Sequence, residues 1–431
     1  MNKTPSSIKP HIAVFGKRNA GKSSLINALV GRSVSIVSEK PGTTTDPVSQ
    51  PYELIPYGPV IFIDTAGIDD SGDLGRKRIE RTADVLKKTD LALLTLTGEP
   101  DDWEKNLLAS INKLGIPFVV VVNKIDLGMK IPAPFPGTAG EEVMRVSAVT
   151  GENIGALRSR IIERLPARGQ IAPEPLSGLV KPGDLVMLII PIDLEAPAGR
   201  IILPQVQVIR DVLDKDCMTI ICKETDIAGT IGCLKRLPDL AICDSQAVDV
   251  CFRSLPAEVK LTTFSMIFGR VKGDLAEYVR AVSVVGSLAP GDRVLVLELC
   301  SHNVMKDDIG REKLPRWFKK RLGFDLDFDY VCGADALPDI SGYRLVIQCG
   351  GCMVNRRLIQ SRINEIKNSG VMVTNYGVII SYLNGVLEKT LEPFGLEMPV
   401  QAAPVSYETG SRSDAAGKAV PKKPKNKPKA R

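Results

Sequence analysis

Soft metal ligands are concentrated in the last third of the chain. Cys300 and His302 are separated by one residue, and Cys349 and Cys352 form a Cys-x-x-Cys pair. Thiolates favour zinc, cuprous copper and iron–sulfur clusters. A Cys-x-x-Cys pair alone is weak evidence for a metal, but the additional Cys-x-His set strengthens it. We predict Cys300, Cys349 and Cys352 as ligands, with His302 as a further candidate and Cys332 as a spare thiol nearby.

A phosphate-binding loop lies near the other end of the chain. Residues 16–23, GKRNAGKS, have the spacing of this motif and stand between an apolar run and a helical pattern. The glycines let backbone N–H groups surround the β-phosphate, while the lysine binds the β- and γ-phosphates and the serine ligates magnesium. The residues predicted to contact the nucleotide here are Gly16, Asn19, Ala20, Gly21, Lys22, Ser23 and Ser24.

Two further nucleotide-binding motifs follow in order, and after them comes a segment at Ser147-Ala148 whose backbone closes over the base. In Asp64-Thr65-Ala66-Gly67, the carboxylate can hold magnesium through water and the last amide can reach the γ-phosphate. In Asn123-Lys124-Ile125-Asp126, the last carboxylate accepts from the ring N–H and exocyclic amine of guanine, donors that adenine lacks, which predicts GTP. The predicted contacts in these motifs, and in the backbone that closes over the base, are Asp64, Gly67, Asn123, Lys124, Asp126, Ser147 and Ala148.

Apolar runs alternate with helical patterns almost throughout, which predicts an α/β fold of three consecutive domains with largely parallel sheets. In an open parallel sheet, ligands bind beyond the carboxyl ends of the strands. Both parts of the soft-ligand set follow predicted strands of the third domain. The predicted strands are 11–15, 60–63, 91–96 and 118–122, then 185–191, 218–222, 240–243 and 259–264, then 293–299, 328–331, 343–347 and 371–374; predicted helices include 154–165 and 204–213.

These patterns divide the chain into six segments. The middle domain shows no catalytic motif, and its five cysteines, Cys217, Cys222, Cys233, Cys243 and Cys251, lack chelating spacing, so we expect them to pack in the core. The predicted segments are an N-terminal extension (1–10), a GTP-binding domain (11–165), a linker (166–182), an α/β domain (183–265), a metal-binding domain (266–400) and a disordered Lys/Pro-rich tail (401–431).

Composition indicates a multidomain globular protein. The 431 residues are 44% hydrophobic and 25% charged, without an apolar run long enough to span a bilayer. The N-terminus lacks the apolar core of a signal peptide, so we expect the cytoplasm and no membrane. The nine cysteines are then expected to be reduced thiols or metal ligands.

The positive charge is localised at the C-terminus. The net charge is +6, yet residues 412–431 contain eight basic residues and one acidic residue, which leaves the rest of the chain nearly neutral. A Pro/Lys-rich tail cannot bury apolar surface and is typically disordered. We therefore expect no specific nucleic-acid partner.

Residues 11–165 resemble the G domains of the translation-factor-related GTPases, which include tRNA-modifying and ribosome-assembly enzymes. The resemblance includes a switch I segment, residues 41–46, PGTTTD. It implies that Thr44 closes on magnesium and that Asn19 helps to hold a potassium ion beside the phosphates. Ile68 stands where Ras-like enzymes have the glutamine that orients water. A slow, cation-assisted GTPase is implied, with Lys22, Asn19, Thr44 and Gly67 as its catalytic residues.

Residues 10–400 together are similar to the maturation GTPases of [FeFe]-hydrogenase, the HydF family. The resemblance implies a [4Fe–4S] cluster on Cys300, Cys349 and Cys352, with one iron open to an exchangeable ligand. It also implies a homodimer formed through the middle domain, and a scaffold that carries a di-iron precursor to apo-hydrogenase. Two radical-SAM maturases are the implied donors.

One residue departs from the family pattern. The family usually has histidine directly before the Cys-x-x-Cys pair, where this chain has Gln348. An amide side chain is a poor iron ligand. We expect the fourth position to be held by water, His302, another nearby group or the incoming precursor.

The alternative interpretation is an RNA-associated GTPase that acts in tRNA modification or ribosome assembly. Its third domain would hold a structural zinc ion in a Cys₃His site. The nearly neutral folded part and the absence of an evident RNA-binding motif argue against it.

The Asn19 assignment predicts that GTP hydrolysis is faster in potassium than in sodium. The measurement is the steady-state rate at matched ionic strength in the two chlorides. Equal rates in both salts would remove the support for a potassium site at Asn19.

Overall fold

The computed structural model describes residues 5–31, 48–65, 81–128, 143–167, 174–192, 201–299, 308–333 and 337–399. Four of the predicted site residues, Thr44, Gly67, Cys300 and His302, lie outside these ranges, as do Ile68 and the C-terminal tail. Within the described residues the strands form three sheets.

The first sheet carries the phosphate-binding loop. Its strand order is β2-β3-β1-β4-β5-β6, and only β2 is antiparallel to its neighbour. The sequence did not predict β2, which is an edge strand with mostly exposed side chains and therefore has no apolar run. The elements are β1 (His11–Phe15), α1 (Lys22–Val30), β2 (Val48–Leu54), β3 (Gly58–Asp64), β4 (Leu91–Leu96), α2 (Asp102–Lys113), β5 (Phe118–Val122), β6 (Met144–Arg145) and α3 (Ile154–Arg164).

The second sheet is fully parallel, in the order β10-β9-β7-β8. Its edge strand β8 leaves Met218 and Ile221 exposed by 51% and 46%. Its elements are β7 (Leu185–Ile189), α4 (Leu203–Asp214), β8 (Met218–Cys222), α5 (Ile227–Gly232), β9 (Leu240–Cys243), α6 (Val248–Ser254) and β10 (Lys260–Thr263).

The cysteines of this domain do not all pack in the core. Cys217, Cys243 and Cys251 are buried as predicted, and Cys222 is partly buried. The prediction is wrong for Cys233, which is exposed, because it caps the short surface helix α5, in which only Ile227 is buried.

The third sheet is also parallel, in the order β12-β11-β13-β14. It shares one apolar cluster with the second sheet, in which Met187 and Ala241 join Val294 and Val346. The predicted division between residues 265 and 266 falls inside α7. The elements are α7 (Phe264–Lys272), α8 (Leu275–Arg280), β11 (Arg293–Glu298), α9 (Leu314–Leu322), β12 (Asp327–Cys332), β13 (Leu345–Gln348), α10 (Arg356–Asn368), β14 (Met372–Asn375), α11 (Tyr376–Leu383) and α12 (Leu387–Leu391).

None of the helices in the described ranges is both long and apolar enough to cross a membrane.

Asn355 joins the first sheet to the third. Its side chain is buried, and Oδ1 accepts from the Leu358 amide at 3.2 Å, which caps the N-terminus of α10. Nδ2 lies 2.8 Å from the Lys88 carbonyl oxygen and 3.0 Å from Nδ1 of His11. An ion pair between Lys87 and Glu365, at 3.4 Å, supports the same contact. The third sheet's domain therefore contacts the amino ends of the first sheet's strands, opposite the phosphate-binding loop.

Two substitutions at Asn355 separate the cap from the interdomain contact. Asn355→Ala removes both, whereas Asn355→Ser keeps a capping hydroxyl and loses only the amide donor. We expect hydrogen exchange of the Thr89 and Asp90 amides to rise roughly fivefold in both variants, the equivalent of about 1 kcal/mol. Exchange at the start of α10 should rise only in the alanine variant. Unchanged exchange at residues 88–90 in Asn355→Ser would contradict the interdomain role.

Candidate nucleotide and metal sites

The phosphate-binding loop stands at the carboxyl end of β1, between that strand and α1. The Lys22 side chain folds back over the loop, and Nζ donates to the carbonyl oxygens of Gly16 and Lys17 at 2.9 and 2.8 Å. Gly21 has φ +81°, and a Cβ there would lie 2.4 Å from Nδ2 of Asn123. The loop conformation therefore requires glycine at this position.

Two predicted magnesium ligands meet beside Lys22. The Ser23 hydroxyl donates to Oδ2 of Asp64 at 2.5 Å. Burial raises the pKa of Asp64, while the Ser23 hydrogen bond and the Lys22 charge act in the opposite direction. Since Asp64 ends β3 and β3 pairs with β1, parallel pairing brings both residues to the same edge of the sheet.

Asn123 connects two nucleotide-binding motifs. Its side chain is 1% exposed; Nδ2 donates to the Ala20 carbonyl at 3.0 Å, and Oδ1 accepts from the Ala148 amide at 3.1 Å. The asparagine thus holds the phosphate-binding loop and the base-binding loop in a fixed relation.

The remaining base-binding residues differ in exposure. Asp126 is exposed in a short 3-10 helix, so its carboxylate is accessible to a base. Ser147 is buried, and its hydroxyl accepts from the Thr150 amide at 3.0 Å, which shapes the loop that follows β6. Of the other predicted contacts, Asn19 and Ser24 are exposed and Lys124 is partly buried.

Cys349 directly follows β13. The strand ends at Gln348, one residue later than the predicted strand 343–347. The Cys349 amide donates to the Leu297 carbonyl at 2.9 Å, so the backbone ladder between β13 and β11 continues past the strand. The Leu299 amide donates to Sγ of Cys349 at 3.2 Å. The described segment that ends at Leu299, the residue before Cys300 in the sequence, therefore ends in contact with Cys349.

The loop between the two cysteines contains a glycine in a left-handed conformation. Gly351 has φ +57°, and a Cβ there would lie 2.6 Å from Cδ1 of Ile359. Apolar residues at helical spacing after the pair, Leu358, Ile359, Ile363 and Ile366, predict that the cysteine pair lies at a helix N-terminus. The helix is present, but it begins at Arg356 and its first amides are capped by Asn355, so the pair lies in the turn before the helix.

Lys272 contacts this loop and was not identified from the sequence. It is 4% exposed, and its Nζ donates to the carbonyl oxygens of Gly351, Cys352 and Val354 at 3.0, 3.2 and 3.0 Å. Burial lowers the pKa of Lys272 to about 8, against the opposing effect of the Cys352 and Cys349 thiols. The available signal was its spacing, because Lys272 follows the buried Phe268 by four residues and so lies on the same face of the helix.

Gln348, which replaces the family histidine, is a core residue. It is 1% exposed and its Nε2 donates to the Tyr278 hydroxyl at 3.3 Å. Its Oε1 has no hydrogen-bond partner among the described residues. Burial raises the pKa of Tyr278, so the phenol remains protonated.

Cys332 belongs to a separate polar cluster. Its thiol donates to Oε2 of Glu298 at 2.9 Å, and Nη2 of Arg311 lies 3.1 Å from both partners. The hydrogen bond to Glu298 and burial both raise the pKa of the Cys332 thiol, which disfavours the thiolate needed for metal binding. The assignment of Cys332 as a spare thiol stays a prediction.

In the described parts of the chain, no three His, Cys, Asp or Glu side chains are grouped so that they could hold a metal ion. Cys349 and Cys352 supply two of the three predicted thiolates, and Cys300 lies outside those parts.

Comparison with protein families assigns each of the three sheets. A model of the hydrogen maturase F dimerization domain matches residues 176–273, and a model of the hydrogen maturase F tetramerization domain matches residues 276–393. A model described as a 50S ribosome-binding GTPase matches residues 11–124.

Characterised relatives match over a limited length. The tRNA modification GTPase MnmE of Chromobacterium violaceum is 35% identical over 167 residues, which are 37% of this chain and 35% of that protein. GTPase Der of Wolinella succinogenes is 33% identical over 176 residues, 38% of this chain and 37% of that protein. The chain thus spans little more than a third of the length of these relatives.

Two solved structures align with less than half of this chain. Aquifex aeolicus Era bound to GDP and AlF4− aligns over 49% of this chain and 92% of that chain, with 23% identity and a TM-score of 0.31. The G domain of T. maritima FeoB aligns over 36% of this chain and 98% of that chain, with 26% identity and a TM-score of 0.29.

The predicted α/β fold, with a P-loop GTPase domain followed by parallel-sheet domains, is confirmed. Two models specific to one family account for half of the chain, and a GTPase model accounts for its first domain. The chain therefore belongs to the hydrogen maturase F family of hydrogenase maturation GTPases.

Proposed function

We propose that this chain is a GTP-regulated scaffold that holds a [4Fe–4S] cluster on Cys300, Cys349 and Cys352 and delivers a di-iron precursor to apo-[FeFe]-hydrogenase. The observation that carries the proposal is the hydrogen bond from the Leu299 amide to Sγ of Cys349. It indicates that the backbone leading into Cys300 runs beside the Cys-x-x-Cys pair.

The described residues fit an anionic thiolate-bound group. Cys349 and Cys352 are partly buried, and the left-handed Gly351 turns the backbone between them. The buried Lys272 ammonium adds positive charge beneath the loop. When bound, a cluster with three thiolates supplies one iron that can take an exchangeable ligand.

The fourth ligand does not come from Gln348 in this proposal. Its side chain is committed to the core by the hydrogen bond to Tyr278, and an amide is a weak donor to iron. Water, His302, another nearby group or the incoming precursor would complete the coordination.

The nucleotide site is proposed to work as follows. On GTP binding, the Lys22 ammonium exchanges the carbonyls of Gly16 and Lys17 for β- and γ-phosphate oxygens. Ser23 and Asp64 would separate to hold magnesium, and Asp126 would accept from guanine. Asn19 would contribute to a potassium site, and Thr44 would be a further magnesium ligand. Loss of the γ-phosphate would then release the switch loops and change partner affinity.

Its partners are proposed from family membership. They are apo-hydrogenase as the acceptor and two radical-SAM maturases as donors of the precursor. Hydrolysis of GTP itself does no iron chemistry in this scheme.

Matches to dimerization and tetramerization domain models support oligomerization. We propose that β8 is a contact between copies of the chain. It is an edge strand of the second sheet, has no second strand partner among the described residues, and exposes Met218 and Ile221. Pairing of two such edges would bury these side chains and satisfy the backbone.

The cluster assignment is tested by anaerobic reconstitution with iron and sulfide, followed by metal analysis and EPR. We expect about four iron atoms per wild-type chain, and loss of the signal in Cys349→Ala and Cys352→Ala. Cys233→Ala is the matched control, because Cys233 is an exposed thiol of the second domain. Stoichiometric zinc without an iron–sulfur signal would favour the structural-zinc alternative. Failure of the loaded protein to activate apo-hydrogenase would contradict the delivery role.

The edge contact is tested by introducing a charge on β8. Met218→Lys should reduce the molar mass measured by light scattering after size exclusion, because a lysine on an edge strand disfavours pairing with another edge. Val48→Lys is the control, since Val48 is 43% exposed on the edge strand of the first sheet. An unchanged mass for Met218→Lys would place the contact elsewhere.

A further inference from the structure

Lys272 is a buried cation whose surroundings need explanation. It ends α7 and is 4% exposed, with its ammonium 5.8 Å from the centroid of the Phe268 ring. Removing a charge from water costs several kcal/mol unless nearby groups compensate it. The groups around the Lys272 ammonium must therefore compensate its charge.

All three ammonium protons of Lys272 are used by the loop that contains the cysteine pair. The acceptors are the carbonyl oxygens of Gly351, Cys352 and Val354, at 3.0, 3.2 and 3.0 Å. In a trans peptide the N–H group points away from the carbonyl. Turning these carbonyls toward Lys272 therefore turns the amides of Cys352, Met353 and Asn355 away from it.

The charge of Lys272 matches the group that the loop is proposed to hold. A cluster on three thiolates is anionic, and its negative charge increases by one on reduction. Positive charge and hydrogen bonds near the sulfurs stabilise the reduced form and raise the reduction potential. The Lys272 ammonium lies 3.2 Å from the carbonyl oxygen of Cys352, so its charge is held next to one of the two proposed ligand residues.

We propose that Lys272 is a positioning residue of the cluster site. It fixes the backbone of residues 351–354 in the conformation that presents the two thiolates, and its buried charge raises the reduction potential of the bound cluster. The inference rests on the proposed cluster function. It adds a residue from the last helix of the dimerization-domain match to a site in the following domain.

The test compares full-length wild-type protein with Lys272→Met, Lys272→Gln and Lys272→Arg. Methionine keeps the length and removes the charge, glutamine keeps a donor, and arginine keeps the charge. Lys215→Met is the matched control, because Lys215 has a side chain that is 18% exposed and pairs with Glu174 away from the loop. Thermal unfolding shows whether each variant folds, and Lys272→Gln replaces Lys272→Met if the latter does not.

Two measurements decide the outcome. We expect the neutral variants to retain less iron, and any cluster they hold to reduce at lower potential. The expected change is about tenfold or more in the reduction equilibrium, which is about 59 mV for one electron. Lys272→Arg should keep a potential close to that of the wild type. Wild-type iron content and potential in a folded neutral variant would overturn the inference.

A failure of the cluster function itself gives a different result. If the wild-type chain binds zinc and no iron, the same variants are compared by Zn²⁺ affinity. The neutral variants should then bind at least tenfold more weakly, because Zn²⁺ binding also requires the thiolates to be fixed by this loop. Equal affinity would overturn the positioning role.

Discussion

The parallel pairing of β11 with β13 is the constraint on which the proposed metal site depends. Residues far apart in the chain end their strands at the same edge, and the backbone ladder continues until the Leu299 amide meets Sγ of Cys349. The same constraint builds the nucleotide site, where β1, β3 and β5 deliver the phosphate-binding loop, Asp64 and Asn123 to one edge of the first sheet. In both cases the predicted ligand residues follow the carboxyl ends of parallel strands.

The nucleotide site and the proposed metal site do not meet at these sheet edges. The domain with the cysteine loop contacts the first sheet through Asn355, at His11 and the Lys88 carbonyl, near the amino ends of β1 and β4. The phosphate-binding loop is at the other end of β1, which has five residues and is about 17 Å long at ~3.3 Å per residue. Among the described residues, the contact between the cysteine-loop domain and the first sheet therefore lies at the end of the sheet opposite the phosphate-binding loop.

Buried polar side chains make the connections between motifs. Asn123 links the phosphate-binding and base-binding loops, Asn355 links two domains, and Lys272 links the end of α7 to the cysteine loop. Each satisfies several backbone groups at once, which fixes loops that have no sheet partner of their own. Each of these three side chains joins backbone groups that belong to different segments of the chain.

The sequence by itself determined the class of fold, the nucleotide motifs and most central strands. Buried parallel strands read as continuous apolar runs, so β1, β4, β5 and β9 have their predicted bounds. The edge strand β8 also has its predicted bounds, although it is partly exposed. The edge strand β2 lacks such a run and escaped prediction. Tertiary structure alone decided that Gln348 is a core residue, that Cys233 is exposed, and that Lys272 and Asn355 join distant segments. The spacing of residues in the sequence specifies which face of a helix or strand a side chain occupies. Which residue it contacts depends on how the elements pack, and the spacing does not specify this.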